Sequence, residues 1–409
     1  MLFWFLPIMF LSISPMLNDA TTLFRSGLIA IIPLFIILIQ SPKIIKYKLI
    51  LMVFTVIQLC FVVSWQINNQ NNYNFLVGSY GRNSGFLTLI GFFITVFIFA
   101  NHFLANQQKI LNSFYLTLCL AQIYGLVQYF GLDPFDWADK TYKIPLTLGN
   151  PNFSSAFLGM MSIIPLYYFK NYKNKFQYLH LLVYLLNGFL ILNTNSSQGF
   201  ILYILSGSIF VLIENRELLK QYIKIISLSL ILGIGIAVSF VSNNLFSFDK
   251  VFNSLLNALN LPDRFSHWGL SYRMFIDNPW FGVGLGDQQK YSANYLTINE
   301  AKKWGNYLQP DKAHSIPLDY FVGGGIFAGT AYLYFIILVF FYLYRLLKKV
   351  DPENNRQVIN AIGICWVAYV LQTFFSPSHI FIDLIGFILA GVILGIYFNS
   401  KEKIFERTR

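Results

Sequence analysis

The chain has 409 residues, 56% hydrophobic and only 11% charged, with a formal net charge of +11. A soluble domain carries about 25% charged residues, so composition excludes a soluble globular fold, and with it the nucleic-acid reading that a basic soluble chain would invite. Apolar residues fall in continuous blocks of roughly 17–22, long enough to cross a bilayer, with no alternating barrel pattern; the expected fold is an all-α, polytopic integral membrane protein.

In chain order the candidate spans are Leu2–Leu17, Leu23–Ile39, Leu49–Trp65, Phe86–Ala100, Leu111–Phe130, Phe153–Phe169, Tyr178–Asn193, Phe200–Ile213, Ile223–Val241, Phe321–Tyr344, Val358–Phe375 and Ile380–Phe398. That makes about twelve transmembrane helices in one membrane domain over 1–409. The first block lacks a basic leader and a small-residue cleavage site, so it reads as a retained helix. Eighteen Lys and Arg residues fall in one set of loops and the C-terminal tail, against Arg25, Arg82, Lys140 and Lys143 in the opposite short loops. Cytoplasmic loops concentrate such residues, which predicts that both termini are cytoplasmic.

Before the tenth span runs a long polar loop, 243–320, on the extracytoplasmic side of this map. Loops of this length are functional more often than not. Asp249–Asn260 is amphipathic. Asp263 is placed to cap a helix from Arg264 to about Asp277, stopped by Pro279. On it Phe265, Trp268, Tyr272, Phe275 and Ile276 form an apolar face beside a polar strip of Arg264, His267 and Ser271. "GVGLG", Gly282–Gly286, follows as a glycine-spaced turn; with no strand before it, a nucleotide loop is a poor match.

The residues able to carry chemistry lie on this same side. His314 stands just before the tenth span, whose start Ser315 and Pro317 fix. A neutral imidazole there could take a proton from an acceptor hydroxyl, or be a solvated loop histidine. Asp319, one turn inside, could orient His314 or a sugar, or complement the helix N-terminus. Gly323–Gly325 leave room for a lipid chain or for a neighbouring helix. Arg264, Arg273 and Arg82 are candidates for phosphate, since a guanidinium makes paired charge-assisted bonds to its oxygens; each alone also suits an interfacial snorkelling role. Asn150 and Asn152 in "GNPNFSSAF" offer amides to a sugar, or a turn and helix cap. The three cysteines lie in apolar blocks and the five histidines are scattered, so neither a disulfide framework nor a metal site is expected.

Together these motifs resemble the O-antigen ligase and O-antigen polymerase-like family of bacterial membrane glycosyltransferases. The matching pieces are "YGRNSG" around Arg82, "GNPN" at Gly149–Asn152, Arg264 and Trp268 followed by "DNPWFGVGLG", and "AHS" with "LDYF" and the glycines around His314. The resemblance is strongest over 181–347. It implies a metal-independent transferase, without cofactor, with a fold like other lipid-carrier glycosyltransferases. A glycan would pass from a polyprenyl diphosphate carrier to a hydroxyl of a glycolipid, glycan or protein, outside the bacterial cytoplasmic membrane. The partners are then the lipid-linked glycan, the acceptor and membrane lipids, not nucleic acid. His314 would be the base, with Asp319 in support; Arg264, helped by Arg82 or Arg273, would hold the diphosphate; Asn150, Asn152, Gln198 and Trp268 would line the substrates. The sequence departs from the family at the eighth span: many members have Ser-Arg-Gly where this chain has Ser197-Gln198-Gly199. Ligase, polymerase and protein glycosylation remain alternatives within the family, with a lipid-linked glycan flippase outside it.

Overall fold

The computed structural model describes residues 2–14, 21–40, 44–135, 144–173, 175–214, 261–304, 310–349 and 356–407. The expected span Ile223–Val241, the segment Asp249–Asn260, and Lys140 and Lys143 lie outside the described residues. The helices are α1 (Leu2–Leu11), α2 (Leu23–Gln40), α3 (Lys48–Ile67), α4 (Asn72–Leu76), α5 (Phe86–His102), α6 (Gln107–Tyr129), α7 (Pro151–Met161), α8 (Ile163–Asn171), α9 (Gln177–Asn193), α10 (Ser197–Glu214), α11 (Leu261–Asp277), α12 (Gln288–Ser292), α13 (Ile298–Trp304), α14 (Ile316–Lys349), α15 (Arg356–Phe375) and α16 (Ile380–Arg407). Among the described residues, six helices are long and apolar enough to cross a membrane: α3, α6 with the short turn before it, α10, α14, α15 and α16. α1, α2, α5 and α9 are shorter apolar helices. The expected sixth span is broken at Ser162 into α7 and α8, where Pro165 removes a backbone donor from the first turn of α8.

α16 is the central post. Its apolar window is wholly buried inside the protein, and it packs against α5, α14 and α15. Gly391 and Gly395, four residues apart, lie against the backbone carbonyls of Val96 and Ala100 on α5, and a Cβ at either would collide with them. Small residues at this spacing let membrane helices approach closely without a hydrophobic driving force. Around this post Phe54 stacks on Phe93 at 3.9 Å and meets Phe335 at 5.0 Å. α3 packs on α14, α2 on α5, α7 on α10 and α1 on α6. The outer faces carry Ile31, Leu38, Met52, Leu59, Leu182 and Ile337 exposed. Water would penalise such a surface; acyl chains are the solvent it suits.

One end of the bundle is knitted by polar contacts between elements far apart in sequence. Arg25, in the first turn of α2, is fully buried and donates to the carbonyls of Met9, Phe10 and Thr147 at 2.8–3.2 Å. The first two are terminal carbonyls of α1, which have no partner within their own helix. Asn83 donates to Thr22 at 2.8 Å, and Phe153 of α7 lies 4.5 Å from the ring of His379, just before α16. The end of α1 and the starts of α2, α5, α7 and α16 thus meet at one face.

Candidate active site

α14 is not a continuous helix. At Gly325 its backbone swings to φ 74°, ψ −169°, a conformation essentially reserved for glycine. The break frees peptide groups, and the "WFGVG" segment fills them: Val283 N–H donates to Val322 O at 2.8 Å, Gly284 N–H to Gly323 O at 3.1 Å, and Ile326 N–H to Pro279 O at 2.8 Å. A Cβ at Gly282 would strike the carbonyl of Val322, and one at Gly325 the carbonyl of Trp280. The glycines of the loop and of α14 therefore fit each other, backbone against backbone. This replaces the expectation that Gly323–Gly325 leave room for lipid. The end of α3 holds the same loop, through Asn68 to Gly282 O at 3.1 Å and Gln70 to Leu285 O at 2.6 Å.

With the loop docked, α11 lies against α14, and His267 comes onto His314, ring centroids 4.4 Å apart and planes 29° from parallel. His314 has φ +53°, unusual for any residue with a side chain, although histidine tolerates it better than most. Asp319 holds this turn: its Oδ1 accepts from Ala313 N–H at 2.8 Å. Arg82 makes a forked pair with Asp311, Nε–Oδ2 2.6 Å and Nη2–Oδ1 3.2 Å. Burial first, then the charges of His267, Arg82 and Arg264, bring the His314 imidazole down to about 3, with Asp311 opposing them. It is thus neutral at ordinary pH. Burial would raise the Asp311 carboxyl, but the charge and hydrogen bonds of Arg82 prevail and hold it below the usual range.

Arg264, in the first turns of α11, donates from Nη2 to Gln198 Oε1 at 3.5 Å. Both line a groove of about 290 Å³ whose other walls are Ser197, Ile201, Leu202 and Leu205 of α10 and Leu371, Gln372 and Phe375 of α15. Trp268 lies beside one of these walls, 6.0 Å from the Phe375 ring. Below His314, Lys312, Asp319, Tyr320, Tyr332, Tyr369 and Asp383 line a separate enclosed cavity of about 50 Å³, room for a few waters.

The structure brings together His314, Asp319, Arg264, Arg82, Gln198 and Trp268. Arg273 lies elsewhere on α11, donating to Tyr295 O at 2.9 Å and Glu300 Oε2 at 2.5 Å; both partners belong to the loop itself. Asn150 caps α7, its side chain accepting from Asn152 N–H at 2.8 Å, and Asn152 is exposed. Sequence reasoning did not single out Asp311 or Gln372. Asp311 carried a faint signal, three residues before His314; Gln372 carried none beyond being an amide inside an apolar span. Among the described residues no three His, Cys, Asp or Glu side chains gather as metal ligands.

Residues 181–333 match the family model described as O-antigen ligase. No curated protein matches the chain. The matched stretch contains Gln198, Arg264, Trp268, His314 and Asp319.

Proposed function

With an O-antigen ligase region as premise, we propose that this multi-pass membrane protein transfers a glycan from a polyprenyl diphosphate carrier to an acceptor hydroxyl, on the extracytoplasmic face of a bacterial cytoplasmic membrane. The observation that carries this reading is Arg264 standing at the head of an apolar groove between two membrane helices, with its charge felt by His314. A ligand suited to that shape has an anionic head and a hydrocarbon tail. Its head would lie within the field of a neutral imidazole.

In this reading the donor's isoprenoid chain occupies the groove and its diphosphate meets Arg264. His314 takes the proton from the acceptor hydroxyl. The acceptor oxygen forms the new bond to the anomeric carbon, the bond from that carbon to the phosphate oxygen breaks, and its electron pair leaves with the polyprenyl diphosphate. Arg264, and Arg82 beyond it, stabilise the charge that develops there. A single displacement inverts the anomeric centre. The electrostatics favour this order of events: the cations that depress His314 in the free protein are offset once a diphosphate sits among them, so donor binding raises the basicity of the group that must act next. Asp319 and the left-handed turn fix where the imidazole stands. Arg273 keeps the loop folded, and Asn150 starts α7.

The test is purified protein in lipid nanodiscs, supplied with a polyprenyl diphosphate-linked glycan and candidate acceptors, with the glycosylated product detected by mass spectrometry. Product formation with release of polyprenyl diphosphate is expected. Movement of the intact lipid-linked glycan across the bilayer without transfer would replace this reading with that of a flippase.

A further inference from the structure

Gln372 lies on α15 three residues inside its end at Phe375, about 4.5 Å along the axis. It is 2% exposed, and neither its amide oxygen nor its nitrogen has a hydrogen-bond partner. Buried amides are nearly always bonded, because leaving them unmade forfeits the hydration they had in water. A membrane helix makes this omission worse, since leucine at the same place would carry no such penalty. Gln372 lines the same groove as Arg264 and Gln198. Gln198 is half satisfied: its oxygen accepts from Arg264, and its Nε2 is buried without a partner. Two neutral carboxamides with unused donors therefore flank one guanidinium at the head of an apolar slot.

We infer that Gln372 is a donor-binding residue, which together with Gln198 gives neutral hydrogen bonds to the phosphate of an isoprenoid lipid whose charge Arg264 meets. This rests on the donor reading proposed above and specifies its contacts. Gln198 and Gln372 face the same groove from opposite helices. Their N–H groups suit phosphate oxygens, and Ile201, Leu202 and Leu205, one helical stripe below Gln198, suit the first isoprene units. A free phosphate would leave that stripe empty, and a neutral isoprenoid alcohol would leave the guanidinium unmatched.

The experiment measures binding of undecaprenyl diphosphate and of undecaprenol to full-length protein in nanodiscs, together with the melting temperature of the ligand-free protein. Wild type, Gln372→Leu and Gln372→Glu are compared. Wild type should prefer the diphosphate. Gln372→Leu should bind the diphosphate roughly ten- to a hundred-fold more weakly, the range for a lost hydrogen bond to a charged group. It should bind undecaprenol as wild type does and melt no lower. Gln372→Glu should bind the diphosphate more weakly still, because it sets a carboxylate against phosphate. Equal diphosphate affinity in wild type and Gln372→Leu would remove Gln372 from the site while leaving the proposed function standing. A melting temperature that falls, with both ligands weakened alike, would show a structural role and overturn the inference. A wild-type protein that binds undecaprenol and ignores the diphosphate would overturn the donor reading itself, and this inference with it.

Discussion

The imidazole of His267 stacks on that of His314 at 4.4 Å, so a proton on one raises the cost of a proton on the other. In the free protein His314 is held near 3, by burial first and by His267, Arg82 and Arg264 after it. The pH dependence of kcat/KM for the donor, which reports the free protein, should therefore show no acidic limb from His314 above about pH 4. The limb in kcat, which reports the donor-bound state, should lie at higher pH because the diphosphate offsets the cations. His267→Gln removes a group that lowers His314, so its acidic limb in kcat should move to higher pH. A limb near 6.5 in kcat/KM would show an imidazole unaffected by its surroundings.

The same shift bears on stability. An unfolded chain would protonate His314 near its ordinary 6.5, while the folded protein resists until about 3. Between these values the unfolded state binds more protons, so stability is full above the unfolded value and is lost as pH falls toward the folded one. Asp311, whose folded pKa is depressed, adds a loss of the same sign at the acid end. His314→Asn keeps a side chain that tolerates the left-handed turn and removes the titration. Its melting temperature should fall less than that of wild type between pH 7 and pH 4, while transfer drops by roughly 10²–10⁴-fold, as for loss of a positioned base. Unchanged turnover would leave His314 a structural turn residue.

Gly325→Ala tests the docking of the loop. The new Cβ would meet the Trp280 carbonyl, and φ +74° is a region that L-residues rarely adopt. The strain alone is worth about 1–3 kcal/mol, and relieving it would undock the segment that holds α11 over His314. The variant should melt lower, become protease-sensitive near Pro279–Gly286, and lose transfer. Wild-type stability would mean that α14 can close into a regular helix without the loop.

The membrane helices were legible in the sequence because an apolar block of span length has few alternatives, and α14, α15 and α16 lie where the blocks predicted. His314, Arg264 and Gln198 were legible as residue types at motif positions. The contacts among them were not. The pairing of Arg82 with Asp311 joins residues 229 apart, and no periodicity encodes it. Gly323–Gly325 read as room for a lipid chain or a neighbouring helix because small residues read alike from either side; only the path of Pro279–Gly284 shows that loop backbone meets Gly323 and Gly325. Gln372 was invisible for a related reason: an amide in an apolar block draws notice only once its missing partners are seen.

Orientation is testable apart from chemistry. With eighteen basic residues on one set of loops and tail against four on the other, reporter fusions at Lys173 and Lys349 should read as cytoplasmic and those at Asn74 and Gln288 as extracytoplasmic. The end of the bundle that carries His314 would then face away from the cytoplasm, where lipid-linked glycans rather than nucleotide sugars are the expected donors. An extracytoplasmic signal at Lys173 would turn the site toward the cytoplasm.

Arg264 offers the sharpest separation of charge from geometry. Its guanidinium is half-buried, one Nη2 bond going to Gln198, and burial lowers its pKa. Arg264→Lys keeps the charge and loses the planar fork, and the shorter reach of an ammonium cannot serve Gln198 and a phosphate together. If charge alone held the donor, the lysine variant would bind nearly as wild type. If the fork matters, it should lose roughly ten- to a hundred-fold in affinity for a polyprenyl diphosphate, and Arg264→Ala should lose more, because a diphosphate would then enter a groove whose remaining lining carries no charge. Arg82 cannot fully substitute, since Asp311 already takes its Nε and Nη2. Donor titration by tryptophan quenching or isothermal calorimetry on the two variants reads this directly, with folding checked by size-exclusion and melting temperature. Wild-type affinity in Arg264→Ala would move the phosphate site away from the head of the groove.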